Sequence, residues 1–192
     1  MSDGTGRSEQ ERAARGDKTL PIVSAGDPVL RARAAEVAEE KLGSPDLLDL
    51  VELMIATMRA APGVGLAAPQ IGLPLRVIVL EDPADVVASL SDEARAARGR
   101  VAFPVIAIVN PVLHLIEGER ATFFEGCLSV PGYAAQVTRA LTVEVTGKTP
   151  AGEPFSWRVS GWPARILQHE CDHLAGTLYV DRMDSRSFAK VE

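Results

Sequence analysis

The sequence predicts an α+β fold in which small antiparallel or mixed β-sheets pack around a C-terminal helix. One segment places apolar residues at helical spacing, and a second, near the C-terminus, places two histidines four residues apart; a series of short strand-like segments lies between them. The first helix is expected to begin at Ser44-Pro45, because serine caps helices and proline favours their first turn. It should end near Arg59, before a loop of glycine and alanine at residues 63–70.

The predicted strands lie on both sides of a polar surface insertion at residues 82–102, which has room for a helical turn. An apolar strand at residues 75–81 precedes the insertion. Asn110-Pro111 is expected to separate the first two strands that follow, and a hairpin turn at residues 149–152 to join the last two. These later strands are predicted at residues 105–109, 112–116, 121–124, 134–139, 141–147 and 155–160.

The last helix should cover residues 162–175 and end at Gly176, whereas Asp27-Pro28 leaves open whether residues 29–40 form a full helix. The chain has 192 residues, 46% of them hydrophobic, which predicts a single domain at residues 19–192 behind a flexible tail at residues 1–18. The net charge of −6 argues against autonomous nucleic-acid binding. No apolar run approaches the roughly 20 residues that span a bilayer, so no membrane partner is expected.

The most informative segment is Gln168-His169-Glu170-Cys171-Asp172-His173, which contains two of the three histidines of the chain. On a helix, residues four positions apart share a face, so both imidazoles can reach one metal ion. Glu170 then lies beside that ion, where a general base for a metal-bound water belongs. Cys171 points away from the histidine face and is expected to pack in the core.

The third metal ligand has candidates on both sides of this helix. Asp181 and Asp184 lie downstream, where a zinc endopeptidase would place it. Cys127 lies upstream at the end of a predicted strand, and a thiolate with two imidazoles suits zinc, ferrous iron, cobalt or nickel. A structural site would need a fourth protein ligand. For a hydrolase, the Gln70 side chain and the Leu128 amide offer donors to an oxyanion.

Three segments in this order resemble the signature motifs of peptide deformylases. They are Gly63-Val64-Gly65-Leu66-Ala67-Ala68-Pro69-Gln70, Glu125-Gly126-Cys127-Leu128-Ser129 and the histidine segment above. The flanks Asn110-Pro111, Gly161-Trp162 and Leu178-Tyr179-Val180-Asp181 agree as well, and the similarity runs from about Pro21 to the C-terminus. The resemblance implies a metal-dependent hydrolase that removes the formyl group from the N-terminal formylmethionine of nascent polypeptides and releases formate.

The resemblance also implies a role for each site residue. Cys127, His169 and His173 would bind one divalent metal ion, natively ferrous iron, with zinc, nickel or cobalt as possible substitutes. Glu170 would be the general base, and Gln70 and the Leu128 amide would hold the oxyanion. The substrate, an N-formylmethionyl peptide, would contact Val64, Gly65, Gly126, Trp162 and Ile166. Arg139 is expected to pair with Glu125 and Asp172, since charges near a metal site need partners.

The insertion at residues 82–102 and the segment at residues 181–188 resemble the mitochondrial and plant-organelle subgroup. The polar N-terminus does not read as a transit peptide, so a cytoplasmic location is expected. Only transient contact with nascent chains at the ribosome is expected, because no long C-terminal docking helix follows Phe188. Within the insertion, Arg95 and Arg98 are expected to form a solvated face.

Overall fold

The computed structural model describes residues 18–191, so the predicted tail lies outside the described residues except for Lys18. The helices are α1 (Pro45–Ala60), α2 (Ala84–Ala88), α3 (Asp92–Arg98) and α4 (Trp162–Leu174). The strands are β1 (Gly65–Ala67), β2 (Val77–Asp82), β3 (Phe103–Leu115), β4 (Arg120–Cys127), β5 (Val130–Ala140), β6 (Thr142–Lys148), β7 (Pro154–Ser160) and β8 (Ala189–Lys190). Short 3-10 helices lie at Pro28–Arg31, Glu39–Lys41, Ala68–Ile71, Tyr179–Asp181 and Ser185–Ser187.

The strands form two antiparallel sheets, which confirms the predicted α+β class. The larger sheet has the order β1-β2-β3-β6-β7, and the smaller one has the order β4-β5-β8. β1 and β4 are therefore edge strands, one in each sheet. None of the helices within residues 18–191 is both long and apolar enough to cross a bilayer.

The larger sheet is covered on both faces, and β2 shows this most clearly. Ile78 and Leu80 belong to the cluster that α4 shares with this sheet, whereas Val77 and Val79 belong to the cluster that includes α1. Successive side chains of a strand point to opposite faces, so a strand buried on both faces reads as an unbroken apolar run. Burial of each such side chain contributes about 1.5–3 kcal/mol.

The two main helices begin and end close to the predicted residues. Ser44 Oγ accepts a hydrogen bond from the Leu47 amide at 3.3 Å and caps α1, and Pro45 lies in its first turn. α4 ends at Leu174, and Gly176 follows with a φ of +75°, which a glycine adopts without strain.

Several local predictions were wrong. Asn110-Pro111 does not divide two strands, because β3 continues through it with a change of register between Val109 and Val112. Asn110 adopts a φ of +52°, and its side chain forms two hydrogen bonds of 2.9 Å with the Val37 backbone. Pro111 has no amide hydrogen to donate to a neighbouring strand. It lies where the hydrogen-bond pattern between β3 and β6 is already irregular.

Other differences concern segments without a strong pattern. The glycine–alanine loop contains the short strand β1 and a 3-10 helix. At residues 29–40, where the sequence left a full helix open, only the 3-10 helices Pro28–Arg31 and Glu39–Lys41 form. The insertion folds into α2 and α3, in agreement with the helical turn expected there, and Ser91 caps α3 through its hydroxyl. The strand β8 was not predicted, since its two residues pair only with distant Tyr133 and Ala134.

Candidate active site

Cys127, His169 and His173 form one cluster, whose ligand atoms all lie within 4.8 Å of one another. α4 presents the two histidines four residues apart, and the end of β4 brings in Cys127 next to a register shift at Gly126. Cys127 Sγ lies 3.3 Å from His173 Nε2. Within residues 18–191, no second cluster of three histidine, cysteine or acidic side chains has this compactness.

The ligand atoms of this cluster, one sulfur and two imidazole nitrogens, fit a divalent metal ion. Glu125 Oε2 lies 3.1 Å from His169 Nδ1, which leaves the other ring nitrogen of His169 to face Cys127. His173 Nδ1 is buried, and it has no hydrogen-bond partner in the described part of the chain. One sulfur and two imidazole nitrogens at such separations can converge on one cation.

The downstream aspartates do not join this cluster. Asp181 accepts hydrogen bonds from Arg31 at 2.5 Å and from the Leu178 amide at 2.7 Å. Asp184 accepts one from the Arg186 amide at 3.0 Å. The geometry therefore favours sulfur as the third ligand and does not support the arrangement of a zinc endopeptidase.

Glu125 is the centre of a buried ionic network beside His169. Its carboxylate accepts two hydrogen bonds from Arg139, at 3.0 and 2.9 Å, and one from Arg165 at 2.5 Å. Burial alone would raise the pKa of Glu125, but hydrogen bonds from His169 and Arg139 hold it well below its ordinary value. The network thus keeps Glu125 ionised and orients the His169 ring.

The predicted contacts of Arg139 are confirmed. Besides its two bonds to Glu125, Arg139 donates to Asp172 at 2.5 Å. Asp172 also accepts two hydrogen bonds of 2.7 Å from Arg182. Arg165, which the sequence did not single out, is a further partner of Glu125 and is itself buried. Its place on α4, four residues before His169, was the signal that could have identified it.

Glu170 lines a cleft, and its carboxyl group lies in an environment that is unusual for an acidic side chain. Its side chain is buried, and Oε2 has no hydrogen-bond partner within residues 18–191. Burial raises the pKa of Glu170 to about 7, because the charged form loses hydration. A Cβ atom on Gly65 would lie 2.3 Å from Glu170 Oε1, so only glycine leaves room for this carboxyl.

The Gln70 carboxamide is held in one orientation. Its Oε1 accepts the Ala67 amide at 2.9 Å, and its Nε2 lies 3.3 Å from Ser129 Oγ and 3.5 Å from Cys127 Sγ. The N–H groups of Gln70 are therefore directed toward the metal cluster. The Gln70 carbonyl in turn accepts the Val23 amide at 2.9 Å, which ties this 3-10 helix to the N-terminal segment.

A cleft of about 480 Å³ lies in front of these groups, between the edge strands β1 and β4. Ten of the predicted site residues line it, and His173 does not: Val64, Gly65, Gln70, Gly126, Cys127, Leu128, Trp162, Ile166, His169 and Glu170. Arg98, Tyr133 and Val191 also line it, although the sequence did not indicate them. The expectation that Arg98 is only a solvated surface residue was wrong, because Arg98 lines the cleft, whereas Arg95 does not.

Cys171 packs where its direction on α4 predicted. It lies against the cluster that α4 shares with the larger sheet, and it is not among the residues of the cleft. Burial raises the pKa of Cys171 to about 12, so its thiol stays protonated.

The family profile described as polypeptide deformylase matches residues 19–189. The chain belongs to the polypeptide deformylase family. It is 51% identical to peptide deformylase 1A, chloroplastic/mitochondrial, of Arabidopsis thaliana over 171 residues. These residues are 89% of this chain but only 64% of that relative. The chain thus spans less than two thirds of the length of this plant deformylase.

Bacterial deformylases are comparably similar. Peptide deformylase 3 of Streptomyces avermitilis is 51% identical over 173 residues, which is 90% of this chain and 75% of that one. A crystal structure of a class I type b peptide deformylase from Acinetobacter baumannii with Met-Ala-Ser bound superposes with a TM-score of 0.77. It is 36% identical and covers 87% of this chain and 99% of its own.

Proposed function

We propose that this chain is a metal-dependent hydrolase that removes the formyl group from the N-terminal formylmethionine of nascent polypeptides and releases formate. The observation that carries the proposal is the meeting of three features at one cleft. These are the Cys127–His169–His173 cluster, the buried carboxyl of Glu170 and the oriented carboxamide of Gln70. Membership of the deformylase family supports the same conclusion.

Cys127, His169 and His173 would hold one divalent ion. Such an ion, when bound, acidifies water and polarises a carbonyl group. Sulfur and imidazole ligands accept ferrous iron, zinc, nickel or cobalt, and we propose ferrous iron as the native metal from the family resemblance. Glu125 supports this site by holding His169 in one orientation.

Glu170 is the proposed general base. It removes a proton from the attacking water and returns it to the methionine nitrogen as the C–N bond of the formyl group breaks. Burial suits it to this role, because the loss of hydration raises the pKa of the carboxyl and makes it a stronger base. The Gln70 Nε2 and the Leu128 amide would donate to the oxyanion that forms at the formyl oxygen when water attacks the formyl carbon.

The peptide is proposed to bind as an added strand. β1 and β4 are the edge strands on the two sides of the cleft, and Gly65 and Gly126 line it. An extended peptide between these edges would gain main-chain hydrogen bonds from both sheets. Val64, Trp162 and Ile166 would then enclose the methionine side chain. The Met-Ala-Ser complex of the Acinetobacter relative supports a peptide in this cleft.

The cellular setting is also a proposal. We infer that residues 19–192 act as a single catalytic domain in the cytoplasm on chains that leave the ribosome. The family profile, which matches residues 19–189, supports the domain. The net charge of −6 supports transient contact with nascent chains over stable binding to RNA.

The decisive experiment is formate release from formyl-Met-Ala-Ser by protein loaded with ferrous iron under anaerobic conditions. Wild-type protein should release formate, and Glu170→Gln should release none while it retains one equivalent of metal. The matched control Glu81→Gln changes a buried carboxyl outside the cleft and should stay active. Metal-loaded wild-type protein that releases no formate would refute the proposal. Cleavage of an internal bond in an N-acetylated peptide would instead indicate an endopeptidase.

A further inference from the structure

The Trp162 ring has two arginines close to it, and both come from the insertion. The Arg98 guanidinium carbon is 5.1 Å from the centroid of the Trp162 ring, and the Arg100 carbon is 5.4 Å from it. Arg98 is also 5.6 Å from the centroid of Phe123. Guanidinium groups at such distances are attracted to the faces of aromatic rings. The insertion therefore contacts a residue of the active-site cleft directly.

The end of the insertion is fixed against the start of α4. Arg100 donates two hydrogen bonds, at 2.7 and 2.8 Å, to Asp82, whose side chain is fully buried. The Trp162 amide donates to the Gly99 carbonyl at 3.4 Å. A Cβ atom on Gly161 would lie 2.8 Å from that carbonyl oxygen, so the two backbones meet where only glycine fits.

The orientation of the Trp162 ring depends on these contacts. The indole Nε1 is buried and has no hydrogen-bond partner within residues 18–191. A tryptophan normally fixes its ring through this N–H group, in addition to packing. Here the indole N–H makes no hydrogen bond within the described residues. The ring is therefore held by the two guanidinium groups and the neighbouring apolar side chains.

We propose that Arg98 determines substrate specificity by positioning Trp162 as a rigid wall of the methionine pocket. The proposal rests on the proposed function. Of the two arginines, Arg98 is the better one to substitute. It lines the cleft, and it has no ion-pair partner among the described residues. Its removal leaves no buried carboxylate unpaired, whereas removal of Arg100 would strand Asp82. With Arg98 in place, the pocket favours one long, unbranched side chain over a short one.

The first test compares kinetics on formyl-Met-Ala-Ser and formyl-Ala-Ala-Ser. Arg98→Ala should raise KM for the methionine peptide about fivefold, as expected for a lost cation–π contact. Its kcat should stay within about twofold, because the reacting groups are untouched. The preference for methionine over alanine, as a ratio of kcat/KM values, should fall by a similar factor. Arg95→Ala is the matched control on the same helix and should change neither quantity.

The second test reads the Trp162 ring without activity. The chain has two tryptophans, so a Trp157→Phe background leaves Trp162 as the fluorophore. Acrylamide should quench Trp162 more strongly in Arg98→Ala than in the background protein, and equally in Arg95→Ala. If Arg98→Ala does not fold, Arg98→Lys, which keeps the charge without the planar group, should show smaller shifts in the same directions.

The outcomes separate the two proposals. Unchanged quenching overturns the positioning role, even if the substrate preference changes, because Arg98 would then act directly. Increased quenching with an unchanged substrate preference overturns the specificity role. Increased quenching in protein that releases no formate from either peptide would overturn the proposed function while Trp162 is still shown to be held by Arg98.

Discussion

Gly65→Ala is the most direct test of the space that the fold reserves for Glu170. The added Cβ would lie 2.3 Å from Glu170 Oε1 and 2.8 Å from its Cδ, whereas ordinary contact begins at 3.4 Å. The carboxyl must therefore move by about 1 Å, or the edge strand β1 must shift. Gly65 has a φ that other residues adopt readily, so the effect is steric and not conformational.

A displacement of about 1 Å in a catalytic group costs about 100-fold in rate, which is about 2.7 kcal/mol of transition-state stabilisation. Crowding of a packed site costs a further ~1–3 kcal/mol of folding free energy. We therefore expect Gly65→Ala to lose about 100-fold in kcat on formyl-Met-Ala-Ser, with a moderate fall in Tm.

The matched control is Gly147→Ala in β6, remote from the cleft. Its Cβ would lie 2.8 Å from Ile108 Cγ2 and 2.9 Å from the Val109 carbonyl oxygen, so the crowding is similarly severe. This variant should lose stability but keep its kcat per folded molecule, as measured by formate release below its Tm. A Gly65→Ala protein with wild-type kcat and the expected fall in Tm would refute the assignment of Glu170 as the base.

Three further predictions address the network around Glu125, the metal ligand Cys127 and the ion pair of Asp181. Glu125→Gln should lower the free energy of unfolding by about 3–5 kcal/mol in urea titrations, because it leaves buried arginines without their carboxylate. Glu81→Gln should cost much less, since its partner Arg59 has a half-exposed side chain. Cobalt-loaded protein should show a thiolate-to-cobalt absorption band that disappears in Cys127→Ser; a band that persists would exclude sulfur as the ligand. Burial tends to raise the pKa of Asp181, but hydrogen bonds from Arg31 and Leu178 outweigh this effect and lower it. The ionised carboxylate therefore stabilises the fold above its unfolded pKa of 3.8. Asp181→Asn should therefore cost about 1 kcal/mol or less at pH 7, and this difference should shrink as the pH falls below 3.8; a difference that does not change with pH would contradict this origin.

The elements that were predicted correctly have short-range causes. α1 begins at Ser44-Pro45 because a side-chain cap and a proline act within one turn. β2 was recognisable because burial on both faces produces a continuous apolar run. The course of β3 through Asn110-Pro111 was not predictable in this way, since Asn110 is held by Val37, 73 residues earlier. β8 is similar, because two residues carry no periodicity and their pairing partner is distant.

The residues of the candidate site also divide into those whose arrangement has a short-range cause and those whose arrangement depends on distant contacts. His169, Glu170 and His173 lie on one helix, so their mutual arrangement follows from helical geometry alone. The motifs around Gln70 and Cys127 carried the family resemblance, which supplied their roles as expectations. The position of Arg98 beside Trp162 could not be inferred, because a charged residue in a polar insertion looks like any exposed one until the chain is folded.

By itself, the sequence determined the α+β class, the two main helices and which side chains are candidates for the chemistry of the site. Periodicity, capping and motif spacing express these properties within a few residues. The tertiary structure alone decided which distant groups meet. It brought Cys127 to the histidines, placed Arg139 and Arg165 on Glu125, reserved the space at Gly65 for Glu170, and set Arg98 against Trp162. Such contacts depend on the register of strands and the packing of helices, which the whole chain settles together.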